Sequence, residues 1–174
     1  MRTLEFRDRL LKIKLLAMDV DGTLTNRSVY YSNRGEELKR FNVHDGMGIT
    51  LLHQSGIQTL IISSDPSDIP TRRVEKLGVT YQIIGAKRKF LKLQNLLQEI
   101  GIAPEEVAYI GDDVNDLEVI DYVGFSAAPK DATETVRNKV DYVLDYEAGG
   151  GAVRQLCELI LLAQDKPIIL EYKE

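Results

Sequence analysis

Short apolar runs recur along this chain, each closing in a polar or glycine-containing turn and most leading into a stretch with helical spacing. They fall at residues 15–18, 59–62, 81–84, 107–110, 123–125 and 142–144. Runs this short, without polar alternation, suit strands covered on both faces. Helical spacing fills residues 46–55, 67–77, 89–100 and 114–122, and a short turn at 104–106 leads into the fourth run. A last helix is expected at about 151–164, with Val153, Leu156, Cys157, Leu159, Ile160 and Leu161 packing on the sheet. Strands alternating with helices imply an α/β fold, a doubly wound, Rossmann-like parallel sheet. Such sheets hold ligands at the carboxyl ends of their strands.

One segment breaks the rhythm. Residues 28–42 read as a β-hairpin inserted after the first strand, with Val29-Tyr30-Tyr31 and Glu37-Leu38-Lys39-Arg40-Phe41 flanking a turn that contains Gly35. A lone hairpin is marginal and its edges invite pairing, so it should rest on something, another subunit included. No repeat, low-complexity tract or linker divides the 174 residues, and a single domain spanning 1–174 is expected.

Composition narrows the classes. At 44% hydrophobic and 28% charged residues the chain reads as soluble and globular. No apolar run approaches the roughly 20 residues of a membrane span. The first 14 residues interleave charge with leucine, unlike a secretion signal, so a cytoplasmic location without membrane contact is expected. A net charge of −5 argues against nucleic acid as a partner. Cys157 is the only cysteine and His44 and His53 the only histidines, which leaves no material for a disulfide and little for a cysteine–histidine metal cage. Cys157 reads as core, His53 as a structural helix residue and His44 as a loop residue near the hairpin.

Polar clusters follow three of the strands: Asp19-Val20-Asp21-Gly22-Thr23, Ser63-Ser64-Asp65, and Gly111-Asp112-Asp113-Val114-Asn115-Asp116. Lys89 opens a helix near the same edge. Asp19 and Asp21, two apart at a strand end, can point the same way, with Gly22 permitting an immediate turn. Asp112 adds a carboxylate from a neighbouring strand. Like charges so placed need a cation or raised pKa values. Oxygen ligands select a hard ion such as Mg²⁺. With the Ser63 hydroxyl and the Lys89 charge, the set has the parts of a phosphoryl-transfer site. Each motif alone is more often a turn, a loop or a surface lysine; it is the four together, in order and each behind a strand, that carry the reading.

These residues resemble the signature of the haloacid dehalogenase superfamily: Asp19-Val20-Asp21-Gly22-Thr23-Leu24-Thr25, Ser63, Lys89 and Gly111-Asp112-Asp113-Val114-Asn115-Asp116. Nearly the whole chain is similar to the capless branch of 3-deoxy-D-manno-octulosonate 8-phosphate phosphatases and their nine-carbon relatives. That similarity rests on Gly35-Glu36-Glu37-Leu38-Lys39, on residues 41–49 (FNVHDGMGI) and on Gly150-Gly151-Ala152-Val153-Arg154. Only 43 residues separate Asp19 from Ser63, and 22 separate Lys89 from Asp112, too few for a cap domain in either gap.

The resemblance implies a Mg²⁺-dependent phosphatase acting on a small sugar-acid phosphate, in lipopolysaccharide or nonulosonic acid synthesis. Asp19 would be the nucleophile, forming an aspartyl-phosphate, and Asp21 the acid and then the base. The Asp19 carboxylate, the Asp21 main-chain carbonyl and the Asp112 carboxylate would hold Mg²⁺. Asp113 and Asp116 would act behind them, and Ser63 and Lys89 would hold the phosphoryl oxygens. The resemblance further implies a homotetramer joined through the hairpins, and a C-terminal tail, about 165–174, able to reach toward an active site.

Two departures bear on the substrate. The octulosonate phosphatases commonly carry Thr-Gly-Arg where this chain has Ser63-Ser64-Asp65; the nine-carbon phosphatases resemble it better there, with an acidic residue at Asp65 and a lysine at Lys76. The basic residue often seen within the glycine run before Ala152 is missing. Gly22, Ser64, Asp65, Arg73 and Lys76 are the candidate substrate-binding residues. Asp65 and Lys76 read equally as a pair for sugar hydroxyls or as a loop aspartate and a solvated lysine. Arg72, Lys87 and Arg88 are further candidates for the substrate carboxylate. A catalytically quiet oligomerisation module, as found appended to sialate-activating enzymes, is the main rival, and it predicts erosion of a set that here is complete. A receiver domain would need an aspartate at Ile84-Gly85, and a phosphomutase would need a cap.

Overall fold

The computed structural model describes residues 6–171. In chain order it contains α1 (Arg7–Leu10), β1 (Leu15–Met18), β2 (Thr25–Ser32), β3 (Gly35–Phe41), α2 (Val43–Gln54) and β4 (Gln58–Ile62). Then come α3 (Asp68–Leu77), β5 (Tyr81–Ile83), α4 (Lys89–Ile100), β6 (Val107–Ile110) and α5 (Leu117–Ile120). β7 (Phe125–Ala128), α6 (Glu134–Arg137), β8 (Tyr142–Val143) and α7 (Ala152–Ala163) complete it. Six strands form one parallel sheet in the order β5-β4-β1-β6-β7-β8, while β2 and β3 form a separate antiparallel pair. The doubly wound sheet and the hairpin after the first strand are as the sequence predicts, and the hairpin and α2 fill the interval where a cap domain would need space.

β1 lies at the centre because all four of its side chains are apolar and buried. Its alternation sorts them to two cores. Leu16 and Met18 join Ile49 and Leu52 of α2 and Val153, Leu156, Cys157 and Ile160 of α7. Leu15 and Ala17 join Leu93 and Leu97 of α4 and Val119 of α5. Each such leucine or isoleucine contributes roughly 1.5–3 kcal/mol by leaving water. The strand order reverses direction at β1, so the carboxyl ends of β1, β4 and β6 open a crevice between chain segments that leave to opposite sides.

Local chemistry moves several boundaries. α2 begins at Val43 rather than 46, because the Asn42 side chain caps it by accepting from the His44 N–H at 2.7 Å. His44 therefore stands in a helical first turn, not a loop. The strand expected at 123–125 is β7 and begins at Phe125: Gly124 donates instead to the Pro104 carbonyl at 2.7 Å, and the strand continues into Ser126-Ala127-Ala128, small residues that carry no strand signal. The helix expected over 114–122 divides into a 3₁₀ turn, Val114–Asp116, and α5. α1 and α6 are short helices with no periodicity to announce them.

Beyond α7 the chain runs along the end of α2, where Lys166 donates to the Ser55 carbonyl and the Gln54 amide to the Glu171 carbonyl, and Ile168 packs against the core. That contact lies beside the start of β4, away from the carboxyl edge of the sheet. Residues 1–5 of the expected signal-free N-terminus and 172–174 of the expected tail lie outside the described residues.

Candidate active site

Asp19 follows β1 directly and stays in the sheet, its N–H donating to the Ile110 carbonyl at 3.0 Å. The chain then makes a wide turn over Val20–Leu24. Gly22 sits there at φ +89°, and a Cβ on it would lie 2.6 Å from Asp112 Oδ1. Backbone conformation and close approach both require glycine at this position. Gly111 is required by close approach alone, since its Cβ would lie 2.8 Å from the Asp116 Cβ. The glycines of both motifs make room for carboxylates.

Lys89, first residue of α4, is carried to this edge by the preceding loop, in which the Ala86 N–H donates to the Ser63 carbonyl at 2.8 Å. Its buried ammonium donates to Asp19 Oδ1 at 2.6 Å and to Asp116 Oδ1 at 2.7 Å. Asp116 is fully occupied: Oδ1 also accepts from the Tyr109 hydroxyl at 2.6 Å, and Oδ2 accepts from the Asp112 N–H at 3.0 Å. Carboxylate oxygens of Asp19, Asp112 and Asp116 lie within 4.8 Å of one another. Asp112 Oδ1 is buried without a hydrogen-bond partner.

Lys89 is thus bonded to two of the three buried carboxylates, Asp19 and Asp116, but not to Asp112. Burial drives the Asp19 carboxyl up to about 8 against the pull of Lys89, with Asp116 adding to the rise. Burial and then Asp116 push Asp112 up to about 7. For Lys89 burial opposes the charge, but Asp19 and Asp116 outweigh it and its pKa is raised. With every group ionised the cluster carries two uncompensated negative charges. The orphaned oxygen and the all-oxygen donor set fit a hard divalent cation.

Asp19 and Asp112 of this cluster line the floor of a cleft of about 240 Å³ whose walls include Asp21, Ser63, Ser64, Asp65, Asp113 and Arg27, with Lys89 and Asp116 buried beneath. Ser63 is buried, and its hydroxyl accepts from the Asp65 N–H at 3.1 Å. The exposed Ser64 donates its hydroxyl to the Ala86 carbonyl at 3.0 Å. Asp113 caps the 3₁₀ turn, accepting from the Val114 N–H at 2.7 Å. A second cavity, about 310 Å³ beside His44, Tyr146 and Arg154, holds none of this cluster.

Two sequence candidates stand elsewhere. Lys76 is exposed on α3 and makes no ion pair with Asp65, whose cation is Lys39. Arg73 stacks over the Phe41 ring at 5.2 Å and donates to the Asn42 carbonyl at 3.1 Å, bracing the hairpin base outside the cleft.

Sequence reasoning missed Lys39, Tyr109 and Arg27. The Lys39 side chain is 1% exposed and lies against Asp21, Glu36 and Asp65. Alternation along β3 carries its only signal, since Lys39 shares the inward face with Phe41. Tyr109 is an apolar-looking strand residue whose hydroxyl is seen only in three dimensions. Arg27 has no pattern signal at all.

A haloacid dehalogenase-like hydrolase family model matches residues 72–156, and the chain belongs to that family, on this match and on the relatives that follow. It is 44% identical over 154 residues to the 3-deoxy-D-manno-octulosonate 8-phosphate phosphatase KdsC of Escherichia coli K12, covering 88% of this chain and 82% of the other. The crystal structure of the 3-deoxy-D-manno-octulosonate 8-phosphate phosphatase of Yersinia pestis superposes with a TM-score of 0.90 at 42% identity, covering 93% and 88%. The phosphatase of the same name from Moraxella catarrhalis, solved with a magnesium ion, a phosphate ion and a KDO molecule, superposes with a TM-score of 0.89 at 40% identity, covering 92% of each chain. The resemblance read from the motifs holds.

Proposed function

We propose that this chain is a Mg²⁺-dependent phosphatase of a 2-keto-3-deoxy sugar acid, with 3-deoxy-D-manno-octulosonate 8-phosphate as its first substrate and an aspartyl-phosphate on Asp19 as intermediate. The observation that carries the reading is the cluster of Asp19, Asp112 and Asp116 around Lys89 at the cleft floor. The names of its relatives, one of them solved with magnesium, phosphate and KDO, supply the substrate class.

The Asp19 and Asp112 carboxylates, with the Asp21 carbonyl, would hold the cation; Asp116 has no oxygen to spare and serves to fix Lys89 and the Asp112 backbone. When bound, the ion keeps Asp19 and Asp112 ionised at neutral pH and neutralises charge on the phosphoryl group. Lys89 fixes Asp19 Oδ1. An Asp19 oxygen attacks phosphorus as the bond to the sugar oxygen breaks, and Asp21 gives that oxygen its proton. Water then attacks the aspartyl-phosphate, Asp21 takes the water's proton, and phosphate leaves. Ser63 Oγ and Lys89 hold the phosphoryl oxygens throughout.

Asp65 favours a second reading, the nine-carbon nonulosonate 9-phosphate, since an acidic residue stands on the cleft wall. The quiet-module reading lacks support because no member of the catalytic set is eroded. A cytoplasmic place for the enzyme suits this substrate, and among the described residues no helix is long and apolar enough to cross a membrane. Assembly through the hairpins, as a tetramer, accounts for the exposure of Val29, Tyr30, Tyr31 and Leu38.

Phosphate release from the eight- and nine-carbon substrates, with and without Mg²⁺, tests the proposal. Higher kcat/KM for one of them than for simple phosphomonoesters, dependent on Mg²⁺, is expected; inertness toward both would refute it.

A further inference from the structure

Arg27 holds a left-handed backbone, φ +67°, one of two non-glycine residues to do so among those described. It lies where the pairing of β2 with β3 is interrupted between Thr25 and Val29. A non-glycine residue in this region is strained, and such strain concentrates at functional sites. Here the bend sends the guanidinium to the loop after β7, where it donates to both the carbonyl and the carboxylate of Asp131. Arg27 thereby forms part of the cleft wall.

Arg27 lines the cleft, while Lys39 and Lys89 stand behind it, bonded to the lining carboxylates Asp21, Asp65 and Asp19. The side chains of Lys89 and Lys39 are each 1% exposed and are committed to two and three carboxylates respectively. The Arg27 side chain is 37% exposed and faces one carboxylate, Asp131. Asp131 has another tie, since its Oδ1 accepts from the Ala148 N–H at 2.9 Å. Exchanging Asp131 for a substrate carboxylate therefore trades like for like and strands no buried charge. A guanidinium can also keep the Asp131 carbonyl while presenting its fork to a second group.

We propose that Arg27 binds the carboxylate of the sugar acid, which makes it the specificity residue for the part of the substrate remote from phosphorus. This rests on the sugar-acid reading above.

The test compares the wild type with Arg27→Gly, which suits the left-handed backbone, and Arg27→Gln, which leaves that backbone as it is. Each is assayed with Mg²⁺ on octulosonate 8-phosphate and on a pentose 5-phosphate, which has no carboxylate. Both variants should raise KM for the sugar acid about tenfold to a hundredfold, as loss of a charge-assisted fork does, with kcat and the pentose phosphate KM changed less than about twofold. An unchanged sugar-acid KM overturns the proposal, and so does an equal rise for both substrates, which would place Arg27 on the phosphate. A wild type that shows no preference for the carboxylated substrate overturns the underlying reading instead, before any variant is compared.

Discussion

Lys39, on the second hairpin strand, donates its ammonium to the Asp21 carboxylate at 2.8 Å. A side chain from the insertion thus holds the residue assigned to proton transfer, and the same ammonium ties Asp65 to the hairpin. The hairpin braces the cleft wall as well as presenting an exposed apolar surface.

Lys39→Met should lower kcat on the order of a hundredfold, the scale of a misplaced acid–base group, with KM changed far less. Lys39→Arg should recover part of the loss. Steady-state kinetics on both variants decide it: a lower melting temperature with wild-type kcat would mean that Lys39 only braces the hairpin.

Gly22 and Gly111 make room for the carboxylates of Asp112 and Asp116. Gly22→Ala meets both the φ +89° backbone and the Asp112 carboxylate, and should lose about 1–3 kcal/mol of stability. Gly111→Ala has ordinary backbone freedom and should act through Asp116 alone, disturbing the Lys89 contact. Chemical denaturation and Mg²⁺ titration of the two variants separate these effects. Wild-type Mg²⁺ affinity in both would contradict the close packing.

The carboxyls of Asp19 and Asp112 titrate near 8 and 7 in the folded chain, above the ordinary 3.8. The folded state therefore binds more protons than the unfolded state between those values, and the metal-free protein loses stability as pH rises through this window. Its melting temperature should fall between about pH 5.5 and about pH 8.5, and Mg²⁺ should raise it more at the upper pH, because the ion binds deprotonated carboxylates. Asp112→Asn should flatten the metal-free profile. Thermal melts at both pH values give the answer, and an equal Mg²⁺ shift at both would contradict the assignment.

Tyr31 and Leu38 are 72% and 62% exposed on the hairpin. If hairpins join subunits, Tyr31→Glu with Leu38→Glu should yield a smaller species in light scattering after size exclusion, while the monomer stays folded by circular dichroism. An unchanged mass would remove the hairpin from the assembly.

The sheet was legible because its central strands β1 and β6 are buried on both faces and written in uninterrupted apolar residues. β7 was displaced because Ser126, Ala127 and Ala128 are too small to signal a strand, and Ser126 is satisfied only by Asp141, 15 positions away in sequence. The clustered carboxylates were legible because each motif follows a strand and carries a glycine. Lys39 and Arg27 were not: a lysine or arginine on a hairpin looks like solvated charge until tertiary packing sets it against Asp21 or Asp131. Arg73 and Lys76 differ the other way, being basic residues near the motif in sequence that do not line this cleft.

The central claim is that Asp19 takes the phosphoryl group. Mass spectrometry of protein acid-quenched during turnover with Mg²⁺ and octulosonate 8-phosphate tests it most directly. A peptide bearing one acid-stable, hydroxylamine-labile phosphoryl group at Asp19 is expected, absent from Asp19→Asn. A phosphoryl group at another residue, or undiminished phosphate release by Asp19→Asn, would contradict it.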